Sequence, residues 1–149
     1  MDELGDLIAR VEGATGADRE IDRLIALRAL KWSPPLRTGV CGPGYANRAD
    51  YEWRDQGGAP VGFDVPEYTS SLGATIELAL DHGFFIRSEP RFFIESESVV
   101  YYSHALRPRW DDWRPDDEWF DRGEAKHDDQ VISALLALLR ALHHKEQER

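Results

Sequence analysis

The stretch DDQVISALLALLRAL, residues 128–142, constrains this chain more than any other part of it. Val131, Ile132, Leu135, Leu136, Leu139 and Leu142 recur at helical spacing and make a wide apolar stripe. Ser133 and Arg140 interrupt the run, which is far too short to span a bilayer. The pattern therefore predicts a core helix beginning near Asp128 and packed on a sheet face.

Strand-like runs stand just before it. GFFIRS, RFFIESE and SVVYYSH are rich in aromatic and β-branched residues, with Pro90 and the SES triplet at the turns, so they read as a three-stranded meander. FFI, FFI and VVYY each hold adjacent large apolar residues. Both faces of the sheet should then be apolar and covered by helices, any uncovered remainder serving as a dimer interface.

Two short helices open the chain, one with Leu4, Leu7, Ile8 and Val11 on a face, the other with Ile21, Leu24, Ile25 and Leu30. Gly13 is expected to end the first in a left-handed conformation, and Thr15 to offer its hydroxyl to the second. From Ser33 to Pro66, prolines and glycines deny regular helix, and only YEWRD, residues 51–55, reads as a strand. A third helix follows VPEYTSS, with Thr69 or Ser70 as its cap, Leu72, Ile76, Ala79 and Leu80 on its core face, and Gly83 as its end. The element order α-α-(β)-α-β-β-β-α predicts an α+β fold: one domain with an antiparallel sheet of three to four strands covered by helices.

Composition removes several function classes. The chain has 149 residues, 42% of them hydrophobic, which is enough for one domain with a real core. A formal net charge of -10 repels phosphates, so nucleic acid is excluded as a partner, and no segment suits a membrane. The single cysteine, Cys41, forms no internal disulfide, and no signal segment precedes Leu4, which points to the cytoplasm.

DLIARVEGATGADREIDRLIALRAL, PEYTSSLGATIELAL and the final DDQVISALLALLRAL resemble the phage ABA sandwich domain family, small proteins of phages and prophages of Gram-negative bacteria. The resemblance covers residues 3–30, 66–104 and 128–145. It implies an α/β/α sandwich, a bacterial cytoplasmic setting and no catalytic residues to carry over. Gly73 stands where the family usually has an acidic residue. The chain also departs from the family at residues 33–65 and 105–127, two surface insertions where protein-specific function is expected.

The second insertion lies within LRPRWDDWRPDDEWFDRGEAKHDD, residues 106–129. Asp111, Asp112, Asp116, Asp117 and Glu118 come in adjacent blocks instead of the alternate positions of a calcium loop, so no metal is assigned. Pro115, the acids after it and Gly123 read as a short surface helix. Arg107, Arg109 and Arg114 with Trp110 and Trp113 form the candidate binding patch, because arginine and tryptophan dominate interface hot spots. The competing reading packs the tryptophans on the sheet and pairs the arginines with neighbouring acids. Cys41 lies in a glycine-rich turn, and His82, His104, His127, His143 and His144 are scattered without triad spacing.

The favoured function is a non-enzymatic binding or interaction module that engages a host or phage protein, or a second copy of itself, with no cofactor. The alternatives are a phage protein that sequesters a nucleotide signal through the arginine and tryptophan patch, and an enzyme using Cys41 or the acidic cluster.

Overall fold

The computed structural model describes residues 2–37, 48–107 and 120–147. Helices α1 (Glu3–Glu12), α2 (Arg19–Leu24), α3 (Leu72–Asp81) and α4 (Gln130–Gln147) combine with strands β1 (Trp53–Arg54), β2 (Pro60–Gly62), β3 (Phe85–Phe93), β4 (Ser98–Arg107) and β5 (Phe120–His127). The fold is α+β, with an antiparallel β3-β4-β5 sheet and a separate β1-β2 hairpin.

Asp2 caps α1 by accepting from the Leu4 amide, and Leu4, Leu7, Ile8 and Val11 are buried as their spacing predicts. Gly13 closes the helix at φ -83°, right-handed and not left-handed, with its amide reaching the Ala9 carbonyl. The cap of α2 is Asp18 and not Thr15; its carboxylate accepts from the Glu20 and Ile21 amides. Beyond Leu24 the helix continues as a π turn, Ile25–Ala29, which ends at Lys31 with φ +59°.

GFFIRS and RFFIESE form one strand rather than two. Pro90 lies inside β3 and pairs with Tyr101. In the described sheet β3 is an edge strand, where a residue without an N–H is tolerated. The third strand is β5, in the segment expected to be a surface helix ended by Gly123. Gly123 instead pairs with Ala105 and lies directly under α4, where an added Cβ would overlap the Ala137 carbonyl oxygen and stand 2.7 Å from the Ala141 nitrogen.

Small residues make that approach possible: Ser103, Ala105 and Ala125 on the sheet and Ser133, Ala134, Ala137 and Ala141 on α4 are all buried. Ser133 Oγ lies 2.8 Å from both the Tyr101 carbonyl and Ser103 Oγ, and Ser103 reaches Ser88 at 2.9 Å. Buried hydroxyls thus satisfy one another across strands. Ile132, Leu135, Leu136, Leu138 and Leu139 are almost fully buried, each contributing about 1.5–3 kcal/mol.

The helical cover forms one stack, with α4 on all three strands and α1 on α4, while α3 contacts both α4 and β3. The alternate residues of the sheet, including Arg87, Glu89, Arg91, Tyr102, His104, Glu124 and Lys126, are exposed or half-buried. Much of the exposed apolar surface gathers at the β3–β4 turn, where Phe92 is 62% and Ile94 82% accessible. No helix among the described residues is long and apolar enough to cross a membrane.

Candidate functional site

The YTSS hydroxyls hold the fold together. The Thr69 amide donates to Asp22 Oδ1 at 2.8 Å, while Thr69 Oγ1 accepts from the Asp18 amide at 2.8 Å and lies 3.2 Å from the Asp18 carbonyl. Asp22 is fully buried, its other oxygen receiving Arg19 Nη1 at 2.9 Å. Arg19 Nη2 also reaches the Val65 carbonyl at 2.6 Å and Asp64 at 3.0 Å. Partial burial raises the Asp64 pKa, but the Val65 amide, Arg19 and Arg23 together outweigh it and hold the carboxyl below its ordinary value. Neither Thr69 nor Ser70 caps α3; Ser71 does, accepting from the Ala74 amide at 3.1 Å.

This latch fixes residues 64–71 against α2 and thereby builds the floor of a cleft of about 430 Å³. One wall holds Leu30, Trp32 and the turn Asp55–Gly57; the other is the α3 face carrying Ala74, Glu77, Leu78, Asp81 and His82; Pro66 and Tyr68 lie between them. Two devices place the first wall. The Trp32 amide returns to the Ala26 carbonyl at 2.8 Å after the left-handed turn at Lys31, and Ser33 bridges to Arg54 on β1. Trp53, Ala26 and Val65 form a small second core beneath, with Trp32 packed on it. Among its described residues the 33–65 excursion carries a hairpin, in which β2, outside the one strand expected at 51–55, pairs with β1.

The α3 face is rotated from the one expected. Thr75, Leu78 and Ala79 are buried, whereas Ile76 is 37% and Leu80 50% accessible. The rotation puts Glu77 and Asp81, one helical turn apart, on the cleft. Asp55 accepts from the Ala59 amide at 2.9 Å. Among the described residues Glu77 and Asp81 have no hydrogen-bonding or ion-pairing partner, and no lysine or arginine lines the cleft. His82 Nδ1 lies 3.0 Å from the Leu78 carbonyl, which only accepts, so this nitrogen carries the proton.

Tyr68 is the unusual member. It is only 3% accessible, and its backbone is engaged at both ends, the amide with Pro66 and the carbonyl with Thr75 Oγ1 at 3.0 Å. Its hydroxyl has no hydrogen-bond partner among the described residues. Burial first, then the charges of Asp22 and Asp81, push its pKa up to about 12. A buried hydroxyl without a partner costs about 1–3 kcal/mol, a cost a binding site recovers when a ligand supplies the partner.

The patch expected from sequence is reached only at its edge. Arg107 is the last residue of β4, paired with Phe120. Arg109, Trp110, Trp113 and Arg114 lie outside the described residues, as do Cys41 and Asp111, Asp112, Asp116, Asp117 and Glu118. His127 has a structural place, with Nε2 3.1 Å from the Ala14 carbonyl and Nδ1 accepting from the Asp129 amide at 2.9 Å. His143 pairs with Asp2 and holds that carboxyl below its ordinary pKa. Among the described residues no group of three His, Cys, Asp or Glu side chains is placed to hold a metal ion. A second cleft of about 270 Å³ beside β5 has mixed charge, with Glu124, Lys126 and Arg140, and Arg140 is already engaged by the Glu124 carbonyl and Glu12.

Sequence reasoning missed the cleft. Glu77 and Asp81 at helical spacing were a legible signal, but their meeting with Trp32 and Asp55 depends on how the excursion folds back. Comparison with protein-family models, curated proteins and solved structures finds no match.

Proposed function

We propose that this chain is a non-enzymatic binding or protein-interaction module of phage or prophage type, and that the cleft between the 33–65 excursion and α3 is its working surface. The observation that carries this reading is the buried Tyr68 hydroxyl, which has no partner among the described residues, beside the exposed carboxylates of Glu77 and Asp81 on the same cleft. Folding ordinarily pairs a buried hydroxyl, and sites that bind gather a few polar groups in a concave, partly apolar setting. The volume of about 430 Å³ falls in the range of small-molecule and side-chain pockets. Among the described residues no lysine or arginine lines this cleft to meet a nucleotide's phosphates, so that alternative belongs to the arginine and tryptophan patch at 107–114. The exposed Phe92, Phe93 and Ile94 offer a second, apolar surface to a protein partner.

The test compares the wild-type chain with Glu77→Arg/Asp81→Arg by native mass spectrometry after incubation with fractionated bacterial lysate. The wild type should retain a small molecule or a protein that the variant loses, and the retained compound should be returned chemically unchanged. Equal retention by both chains removes the cleft as the working surface. A compound returned as product replaces the binding reading with an enzymatic one.

A further inference from the structure

The chemistry of the cleft narrows what it takes. Its described lining contains the carboxylates of Asp55, Glu77 and Asp81 and no lysine or arginine. Anions are repelled from such a surface, and the chain as a whole, at net charge -10, adds to that field. A bare metal ion is poorly served, because among the described residues no three ligating side chains converge on one point. What remains is a cation larger than an ion, able to meet carboxylates on opposite walls. The aromatic members suit it: an indole or phenol face attracts an ammonium or guanidinium, and the Tyr68 hydroxyl, without a partner among the described residues, has lone pairs for a group that only donates. Leu30, Leu78 and Pro66 give an aliphatic stem an apolar bed.

We infer that the cleft recognises a protonated amine or guanidinium group on an apolar stem, held by Glu77, Asp81 and Asp55 with Tyr68 and Trp32 beside it. This rests on the binding reading above and names the ligand class for the same site. The group has two sources, a free organic amine or guanidine and a lysine or arginine side chain of a partner protein. The chemistry is shared and the experiment separates them.

The test uses the full chain, with isothermal titration calorimetry and amide and indole NMR shifts as readouts. One arm titrates cadaverine and pentylguanidine against pentanol and pentanoate as neutral and anionic controls. The other titrates acetylated, amidated tripeptides with a central lysine or arginine against the norleucine peptide. Cations should bind, weaken as salt is added, and move the Trp32 indole and the α3 amides. Glu77→Gln/Asp81→Asn, two exposed positions, should fold normally and lose about tenfold or more in affinity. Tyr68→Phe should lose about threefold to tenfold while its unliganded melting temperature stays level or rises, since the variant removes an unpartnered buried hydroxyl. A merely structural Tyr68 would do the reverse, lowering the melting temperature and leaving affinity alone.

Binding of the small cations alone identifies a free amine or guanidine, and binding of the peptides alone identifies a protein side chain. The inference is overturned if neither set binds, if pentanol or pentanoate binds as tightly, or if the double variant keeps its affinity. If the lysate comparison shows a cleft-dependent ligand that is neutral or anionic, this inference fails while the binding reading stands. If the cleft retains nothing in either experiment, both fail.

Discussion

Gly123→Ala should be among the most damaging single-methyl changes in this chain. An ideal Cβ at Gly123 overlaps the Ala137 carbonyl oxygen and sits 2.7 Å from the Ala141 nitrogen and 3.2 Å from the Ala137 carbonyl carbon. Comfortable contact between heavy atoms begins at about 3.5 Å, and the obstructing atoms are helix backbone, so no rotamer change relieves the clash. The helix must therefore withdraw from β5 by about 1 Å, a gap that removes a quarter to a half of the attraction between each pair of facing atoms. Because α4 packs on all three strands, the loss spreads beyond one residue. Overpacking of this kind costs about 1–3 kcal/mol, and the severity here argues for the upper end. Replacing glycine in a strand returns about 0.5–1 kcal/mol through backbone entropy, leaving a net loss of about 2–2.5 kcal/mol. For a chain of this length that is a fall of about 4–10 °C in melting temperature. Urea denaturation followed by far-UV circular dichroism measures it. Gly16→Ala is the control, since nothing lies within 4 Å of its Cβ position, and it should change stability by less than about 0.5 kcal/mol. If the two variants proved equally stable, the close approach of α4 to β5 would be refuted.

Three further expectations concern the latch and the titrating groups. Thr69→Val removes the hydroxyl that meets the Asp18 amide, and should cost about 1–3 kcal/mol by leaving that amide unpaired, while the Asp18 carbonyl keeps the Asp22 amide; a neutral result in urea denaturation would show that the hydroxyl contributes nothing to the latch. The Asp64 carboxyl is held below its ordinary value of 3.8, so its stabilisation is present above that pH and is lost as pH falls through the folded value; the gap between wild type and Asp64→Asn should shrink in acid, and parallel melting curves would contradict it. Tyr68 is raised from 10.0 to about 12, so the folded state keeps a proton that the unfolded state releases; wild type should lose stability relative to Tyr68→Phe between those two pH values, and a constant difference across that window would count against burial of the phenol.

Elements governed by short-range physics were legible in the residues alone. Leu4, Leu7, Ile8 and Val11 placed α1, the stripe from Ile132 to Leu142 placed α4 and its burial, and Gly83, at φ +80°, ended α3 as its chemistry requires. The α+β class followed from the order of these elements. What failed was every choice between locally equivalent alternatives. Pro90 reads as a turn until the strand around it is known to lie at a sheet edge, where its missing N–H is tolerated. Gly123 and its charged neighbours read as a helix end, because nothing local reveals that α4 will press so closely on that point that only glycine fits. On α3, Ile76 and Leu80 made as good an apolar face with Ala79 as Thr75 and Leu78 do, and packing chose the latter pair. That rotation, together with the Thr69 latch on Asp18 and Asp22, brought Glu77, Asp81 and Tyr68 opposite Trp32 and Asp55. A cleft of this kind is assembled from segments up to 52 residues apart, Leu30 to His82, and the free energy that brings them together comes from long-range burial and hydrogen bonds which no local pattern encodes.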